Sequence, residues 1–441
     1  MYGDAGKGLF VDALARRTGA HTVIRFNGGL QAAHHVTLPD GRVHRFEQFG
    51  SATLVPGVET FLSRFIAVSP WSLIEENERL QKLGITDALD RTRISENALV
   101  VTPFHAAANR LREYARGLGQ HGSCGLGFGE TVKDSLELDE PLVVRARDLL
   151  DATTLGRKLR DIQTHKYEQM KGEGIFRACA SNRSAIHDID DLFFYRVVEE
   201  YMAMLRLFLS RIRIVPDSTL GEILSRPGHV IFEPAQGVLL DEWRGFHPYT
   251  TWSTCTLDNA WTLLDEHNYD GAVRRIGIVR AYATRHGAGP FVTRDAGLTH
   301  RIPDTHNGHD GWQGAFRIGP FDAVAARYAI DCVNADKPED RRLEGVAVTC
   351  LDRLAEEPEW RICTRYEDTT NIPLGPFKDL EYQARLAEQM SQAKPVYEIS
   401  TTAATQEQRV AEHLSAIEQA TGLKVLYTSQ GPTHEHMRFN A

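Results

Sequence analysis

Apolar residues in this chain alternate between two periods. In the stretch Leu9–Arg17 they fall at Phe10, Val11 and Leu14, with Gly19 just beyond, which predicts a helix with a glycine stop. His21–Phe26 is short and rich in β-branched residues and predicts a strand. Trp71–Leu83 and His105–Gly117 return to the helical period. His229–Glu233 reads as a buried strand, and Ile276–Tyr282, Trp360–Tyr366 and Leu423–Tyr427 read as further strands. Thr405–Ala420 carries an apolar stripe at Val410, Leu414 and Ile417, a Thr405/Gln408 capping box, and Gly422 past its end. Residues 150–225 read as mostly helical, with Glu199, Glu200, Arg211 and Arg213 on a solvated face. This alternation predicts an α/β fold with a largely parallel central sheet flanked by helices. Ligands of such a sheet sit beyond the carboxyl ends of its strands.

The length of 441 residues could hold two or three average domains, but one large α/β domain with a helical insertion at about 150–225 fits as well. A 42% hydrophobic and 25% charged composition is that of an ordinary globular chain. The net charge of −9 argues against a general nucleic-acid binder, yet leaves room for a local basic pocket. No apolar run is long enough to span a membrane, and the start carries no signal-peptide pattern. Cys124, Cys179, Cys255, Cys332, Cys350 and Cys363 are scattered without a CxxC pair. That argues against a zinc site or a disulfide framework and suits a reducing cytoplasm.

The chemistry is concentrated near the start. Gly3-Asp4-Ala5-Gly6-Lys7-Gly8 is a glycine-rich loop running into a helix, and Arg25-Phe26-Asn27-Gly28-Gly29-Leu30-Gln31-Ala32-Ala33-His34-His35 follows. The glycines allow positive φ and close approach to a ligand, and the helix start suits phosphate. The spacing is not that of a Walker A motif. Asp4 would repel phosphate unless it holds a metal or moves a proton. A second glycine-rich stretch covers 122–129, Gly-Ser-Cys-Gly-Leu-Gly-Phe-Gly. Its glycines alone leave a surface turn and a ligand loop equally open. Gln236, after the strand ending at Glu233, offers an amide that both donates and accepts, which suits an oxopurine or a ribose phosphate.

The two N-terminal motifs, in this order and at this separation, resemble those of the adenylosuccinate synthetases, GDEGKG and RYQGGxNAGH. Further likenesses run through nearly the whole chain: 122–129 resembles GTTGRGIG, Phe232–Asp241 resembles FEGAQGTLLD, Thr284–Phe291 resembles TRVGAGPF, Val348–Asp352 resembles LTKLD, and Ser429–Pro432 resembles STGP. The resemblance implies one P-loop-like domain acting as a homodimer. It implies Asp4 and His34 as the catalytic pair, and Mg²⁺ on Asp4 and the carbonyl of Ala33. GTP, the co-substrate, would lie on Gly3, Asp4, Ala5, Gly6, Lys7 and Gly8, on Ala33, His34 and His35, and on Asp352, Ser429, Gln430 and Gly431. IMP would meet Asp4, Lys7, Asn27, Gln31, Ser123, Cys124, Gln236 and Thr251. Aspartate would meet Arg317, helped by Arg301 or Asn307.

The implied reaction joins aspartate to IMP with hydrolysis of GTP. Several positions depart from the pattern. Ser123 and Cys124 replace two threonines, Leu126 replaces an arginine, and Lys133–Leu138 offers no arginine in register. Gly314, Ala315 and Phe316 replace three of four arginines in the aspartate loop, Pro234 and His286 replace a glycine and a valine, and Cys350 replaces a lysine. A ligase on another oxopurine nucleotide such as dGMP, or on another amine, is therefore an alternative; phage relatives of that type lack the loop aspartate, which is present here. A weak purine-nucleotide-binding protein is a second alternative, against which Asp4 and His34 both count. In the family a strand leads into the first loop, whereas only Met1 and Tyr2 precede Gly3 here. The expectation is a truncated or miscalled start, or a sheet that does without that strand.

Overall fold

The computed structural model describes residues 1–117, 123–304, 307 and 314–439. The fold is α/β, as the alternation predicts. The parallel strands lie mainly in two sheets, with two further short parallel pairs, Ala67–Val68 beside Leu99–Val100 and Phe321–Asp322 beside Trp360–Tyr366. The first has the order Arg213–Val215, Thr92–Ser95, Glu59–Leu62, Thr22–Arg25, Val230–Glu233, with every neighbour parallel. The second runs Ile276–Arg280, Gly345–Thr349, Lys424–Ser429 in parallel and closes with antiparallel Met437–Phe439. A short antiparallel pair, Ala283–His286 with Phe316–Gly319, follows from the second sheet.

The first helix, Lys7–Thr18, ties the two sheets together. Gly6 caps its start at φ 81°, and Gly19 ends it at φ 65°, both left-handed positions that glycine occupies without a Cβ clash. Its Val11 and Ala15 pack with Val23 and Ile231 of the first sheet. Its Leu9, Phe10 and Ala13 pack with Ile276, Ile278 and Ala347 of the second. Burial of each large side chain here contributes about 1.5–3 kcal/mol, so the helix start, with its N–H groups, is held where the sheets meet.

The strand at Val230–Glu233 was expected to be buried throughout, but only Glu233 is. It is an edge strand, bonded on one side to Thr22–Arg25, whereas Thr22–Arg25 itself lies between two neighbours and is buried at every position. Helices Ala152–Gly172, Ile175–Ala178, Ala185–Phe193, Arg196–Leu209 and Thr219–Ser225 fill the region expected to be helical. They are interrupted by Arg213–Val215, which returns to the edge of the first sheet. All six cysteines are free. Among the described residues, no helix is long and apolar enough to cross a membrane.

Candidate active site

The carboxyl ends of both sheets open on one cavity of about 800 Å³. Arg280, Thr349 and Ser429, the last residues of three strands, line it, together with the loop Gly3–Gly8. The second sheet clamps that loop. Arg280 donates through Nε to the carbonyl of Asp4, and the Thr349 hydroxyl donates to the carbonyl of Ala5 at 2.9 Å. Gly8 packs on the chain at His34 and His35: a Cβ there would lie 2.6 Å from the His35 carbonyl oxygen, so only glycine allows this approach.

Lys7 is buried and donates to the carbonyls of Gly3 at 2.5 Å and Gln236 at 2.8 Å. Burial pulls its pKa down to about 8, partly offset by the Asp4 and Glu233 charges, so at pH 7 it still places a positive charge in the cavity. The Asp4 carboxylate lines the same cavity and accepts no hydrogen bond from the described residues.

His34 lines the cavity and is held by a buried carboxylate. Its Nδ1 lies 2.6 Å from Glu233 Oε1, and its buried Nε2 has no partner. Burial lowers its pKa to about 4, although the Glu233 bond works against this. Burial would raise the Glu233 carboxyl, but the Arg25 charge and hydrogen bonds from His34 and Ser51 overcome it and hold the pKa near 2. The ring is therefore neutral, donates Nδ1–H to a fixed carboxylate, and turns the Nε2 lone pair toward the cavity that it lines. Ser51 completes the setting: its N–H donates to Glu233 Oε2 at 2.9 Å, and its hydroxyl donates to Oε1. Neither Glu233 nor Ser51 was singled out by sequence reasoning. An acid ending a predicted strand, just before the Gln236 loop, was the available signal.

Two amides face the cavity without partners. Both polar atoms of Gln31 and of Gln236 are buried and unbonded, and both residues line the cavity. Gln236 also sits at φ 53°, a strained conformation for a residue with a side chain. Buried amides with no partner cost about 1–3 kcal/mol each, which a bound ligand would recover.

The structure brings most of the expected residues to this one cavity. Gly3, Asp4, Gly6, Lys7, Gly8, Gln31, Ala33, His34 and His35 line it, as do Ser123, Cys124, Gln236, Thr251, Asp352, Ser429 and Gly431. Four expected residues do not. Ala5 turns its carbonyl to Thr349. Asn27 spends its amide on the backbone of Ala235, accepting at 2.7 Å and donating at 3.3 Å. Gln430 is exposed, and its N–H bonds to the carbonyl of His436. Arg317 stands behind the wall: it donates to the carbonyls of Gly287 and Gly289 and lies over the Phe291 ring. Burial and the Arg285 charge pull its pKa down to about 10. It supports the turn at Gly287–Gly289 and is not among the residues that line the cavity. Arg301 is held by Glu357, while Asn307 does line the cavity. Gly122, at the head of the second glycine-rich loop, lies outside the described residues.

No group of three or more metal-ligating side chains occurs among the described residues. Mg²⁺ needs none, since it keeps waters and phosphate oxygens and takes one or two protein ligands. The unbonded carboxylate of Asp4 beside Ala33 fits that requirement.

Phosphate-seeking backbone, an internal lysine and a carboxylate-bound histidine facing one nucleotide-sized cleft make this an α/β enzyme of the nucleotide-dependent, proton-moving kind. Comparison with known proteins narrows that class. Residues 1–438 match the family model described as adenylosuccinate synthetase, and the chain belongs to that family of ligases. The adenylosuccinate synthetase of Verminephrobacter eiseniae is 31% identical, with 99% of this chain and 94% of that protein covered. That of Aliivibrio fischeri is 30% identical, covering 98% and 94%. In three dimensions the chain is similar to fully ligated adenylosuccinate synthetase from Plasmodium falciparum, with a TM-score of 0.77, 20% identity, and 100% and 98% of the two chains covered. It is less similar to the succinoaminodeoxyadenylate synthetase of cyanophage S-2L, solved with dGMP and with dATP as energy donor, at a TM-score of 0.59, 16% identity, and 100% and 93% covered.

Proposed function

We propose that this enzyme joins aspartate to position 6 of IMP at the cost of GTP, giving adenylosuccinate, GDP and phosphate. The observation that carries the reading is the meeting, in one cavity, of an unbonded Asp4 carboxylate with a His34 whose Nε2 is free and whose Nδ1 is fixed by Glu233. Asp4 removes the purine N1 proton, and the 6-oxygen then attacks the γ-phosphorus as the bond to the β-phosphate oxygen breaks. His34 takes up a proton from solvent at Nε2 as the anionic nucleotide phosphates bind and donates that N–H as a hydrogen bond to the transferring phosphoryl group, while Glu233 stabilises the imidazolium. Mg²⁺, held by the Asp4 carboxylate and the Ala33 carbonyl, would neutralise charge on the nucleotide phosphates. The amine of aspartate then displaces the phosphate from carbon 6. A cytoplasmic setting accords with six free cysteines.

Guanine selection rests on Asp352, which lines the cavity just past the strand Gly345–Thr349. A carboxylate accepts from guanine N1–H and N2–H₂ together, a pattern adenine lacks. Cys350, at the position of the family's lysine, supplies no charge, so the preference for GTP over ATP should be moderate. Phosphate release should be fastest with IMP, GTP and aspartate, and Asp352→Asn should erode the advantage of GTP over ATP. Equal use of both nucleotides by the unaltered enzyme would remove the guanine assignment. A second reading, a ligase acting on dGMP, is supported by the changed loop at Ser123, Cys124 and Leu126, of which Ser123 and Cys124 line the cavity. Substituting dGMP for IMP in the same assay decides it: faster turnover with dGMP displaces the main reading.

We also propose a homodimer. Phe193, Tyr195 and Leu207, on or beside the helices Ala185–Phe193 and Arg196–Leu209, are 57%, 62% and 67% exposed, an apolar exposure that suits burial against a second copy. Light scattering should give about twice the 49.4 kDa chain mass, whereas a single-chain mass at micromolar concentration would rule the dimer out.

A further inference from the structure

The second glycine-rich loop has few groups of its own with which to hold a phosphate. Ser123 donates its hydroxyl hydrogen to Asn109 Oδ1 at 2.9 Å, and that oxygen is fixed as an acceptor by the N–H of Gly127 at 3.2 Å. The Ser123 oxygen itself accepts from the N–H of Gly125 at 3.1 Å. Cys124 is a neutral thiol, its pKa pushed up to about 11 by burial, and Leu126 is apolar. The side chains of this wall therefore offer an anion neither charge nor a strong donor.

Cations stand beside it on two packed helices. Asn109, Arg112, Glu113 and Arg116 form a stripe at helical spacing on Pro103–Arg116, and all four line the cavity. Glu130 and Lys133 do the same on Phe128–Glu137. Arg112 is held by two carboxylates: its Nε lies 2.9 Å from Glu130 in an ion pair, and its two terminal nitrogens donate to Glu173. Arg116 bonds Glu113 through one terminal nitrogen and is 37% exposed. Lys133 has only a 3.8 Å contact with Glu137, one turn away, and both are exposed enough that water competes for the pair. Lys133 and Arg116 thus keep donors available at the place where the loop supplies only backbone N–H groups.

We infer that Lys133 and Arg116 hold the 5′-phosphate of the purine nucleotide, in place of any arginine or threonine of the loop. The inference rests on the assignment of this cavity to a nucleoside monophosphate and names the residues that recognise its charged end. A phosphomonoester carries about two negative charges at pH 7 and matches two cations, one compact and one forked.

The test compares a nucleotide with its nucleoside. IMP and inosine are titrated calorimetrically into the full-length enzyme, Lys133→Ala and Arg116→Ala, and GMP, dGMP and AMP are run against their nucleosides in parallel. Each substitution should weaken IMP about 10-fold or more, within the range for a charge-assisted hydrogen bond, and leave inosine and GTP unchanged. Equal weakening of IMP and inosine, or no weakening of either, overturns the inference. If another monophosphate binds in place of IMP and loses its advantage over its nucleoside in Lys133→Ala, the substrate reading falls and the phosphate site stands. If no monophosphate binds better than its nucleoside, the phosphate site falls.

Discussion

Replacing Asp4 by asparagine should lower kcat by at least about 100-fold, the usual loss for removing a general acid or base. The substitution keeps the size and the backbone of the loop. The carbonyl of Asp4 still accepts from Arg280, and Lys7 still bonds the carbonyls of Gly3 and Gln236, so the cradle should remain in place. What disappears is the negative charge and the proton-accepting oxygen that Asp4 brings to the cavity. GTP affinity measured without turnover should change far less than kcat, separating loss of chemistry from loss of binding. Near-normal turnover in Asp4→Asn would show that proton removal from the purine does not run through this residue.

Much of this site was readable from local pattern. The loop Gly3–Gly8 and the helix after it follow from glycine spacing and a 3.6-residue period, and both lie where expected. Gln31 and Gln236 are far apart in the chain, yet each sits in a motif with a direct counterpart in the family, and both turn unbonded amides to the cavity. What could not be read was the allocation of hydrogen bonds. Asn27 belongs to the same motif as Gln31, but it points back to Ala235 because the strand Thr22–Arg25 runs beside Val230–Glu233. Arg317 fits the register of the family's last loop arginine, yet the hairpin with Ala283–His286 draws its guanidinium onto the Gly287 and Gly289 carbonyls. A one-dimensional register says which residue occupies a position, and tertiary pairing decides where the side chain spends its donors. How the parallel strands divide among sheets was hidden for a similar reason: alternation of helix and strand is the same however the strands are grouped.

Glu233 carries the other large expected effect, because it acts through His34. The imidazole must present Nε2 to the cavity, and the tautomer with the proton on Nδ1 is fixed by a carboxylate 2.6 Å away. In Glu233→Gln the amide still fills the space, but the charge that would stabilise a protonated ring is gone, so kcat should fall about 10- to 100-fold. His34→Asn should cost at least about 100-fold. Because both residues serve one function, the double variant should be no slower than His34→Asn by more than a few-fold, rather than showing the product of the two losses. Full multiplication of the losses would mean that Glu233 works independently of His34, for instance by neutralising the buried Arg25 charge. Ser51→Ala provides the milder control. It removes the hydroxyl donor but keeps the N–H that bonds Glu233 Oε2, so the carboxylate stays charged and in place. Its kcat should lie between those of the unaltered enzyme and Glu233→Gln, with the binding of GTP preserved. A Ser51→Ala enzyme as slow as Glu233→Gln would show that geometry at Glu233, and not its charge, is what His34 requires.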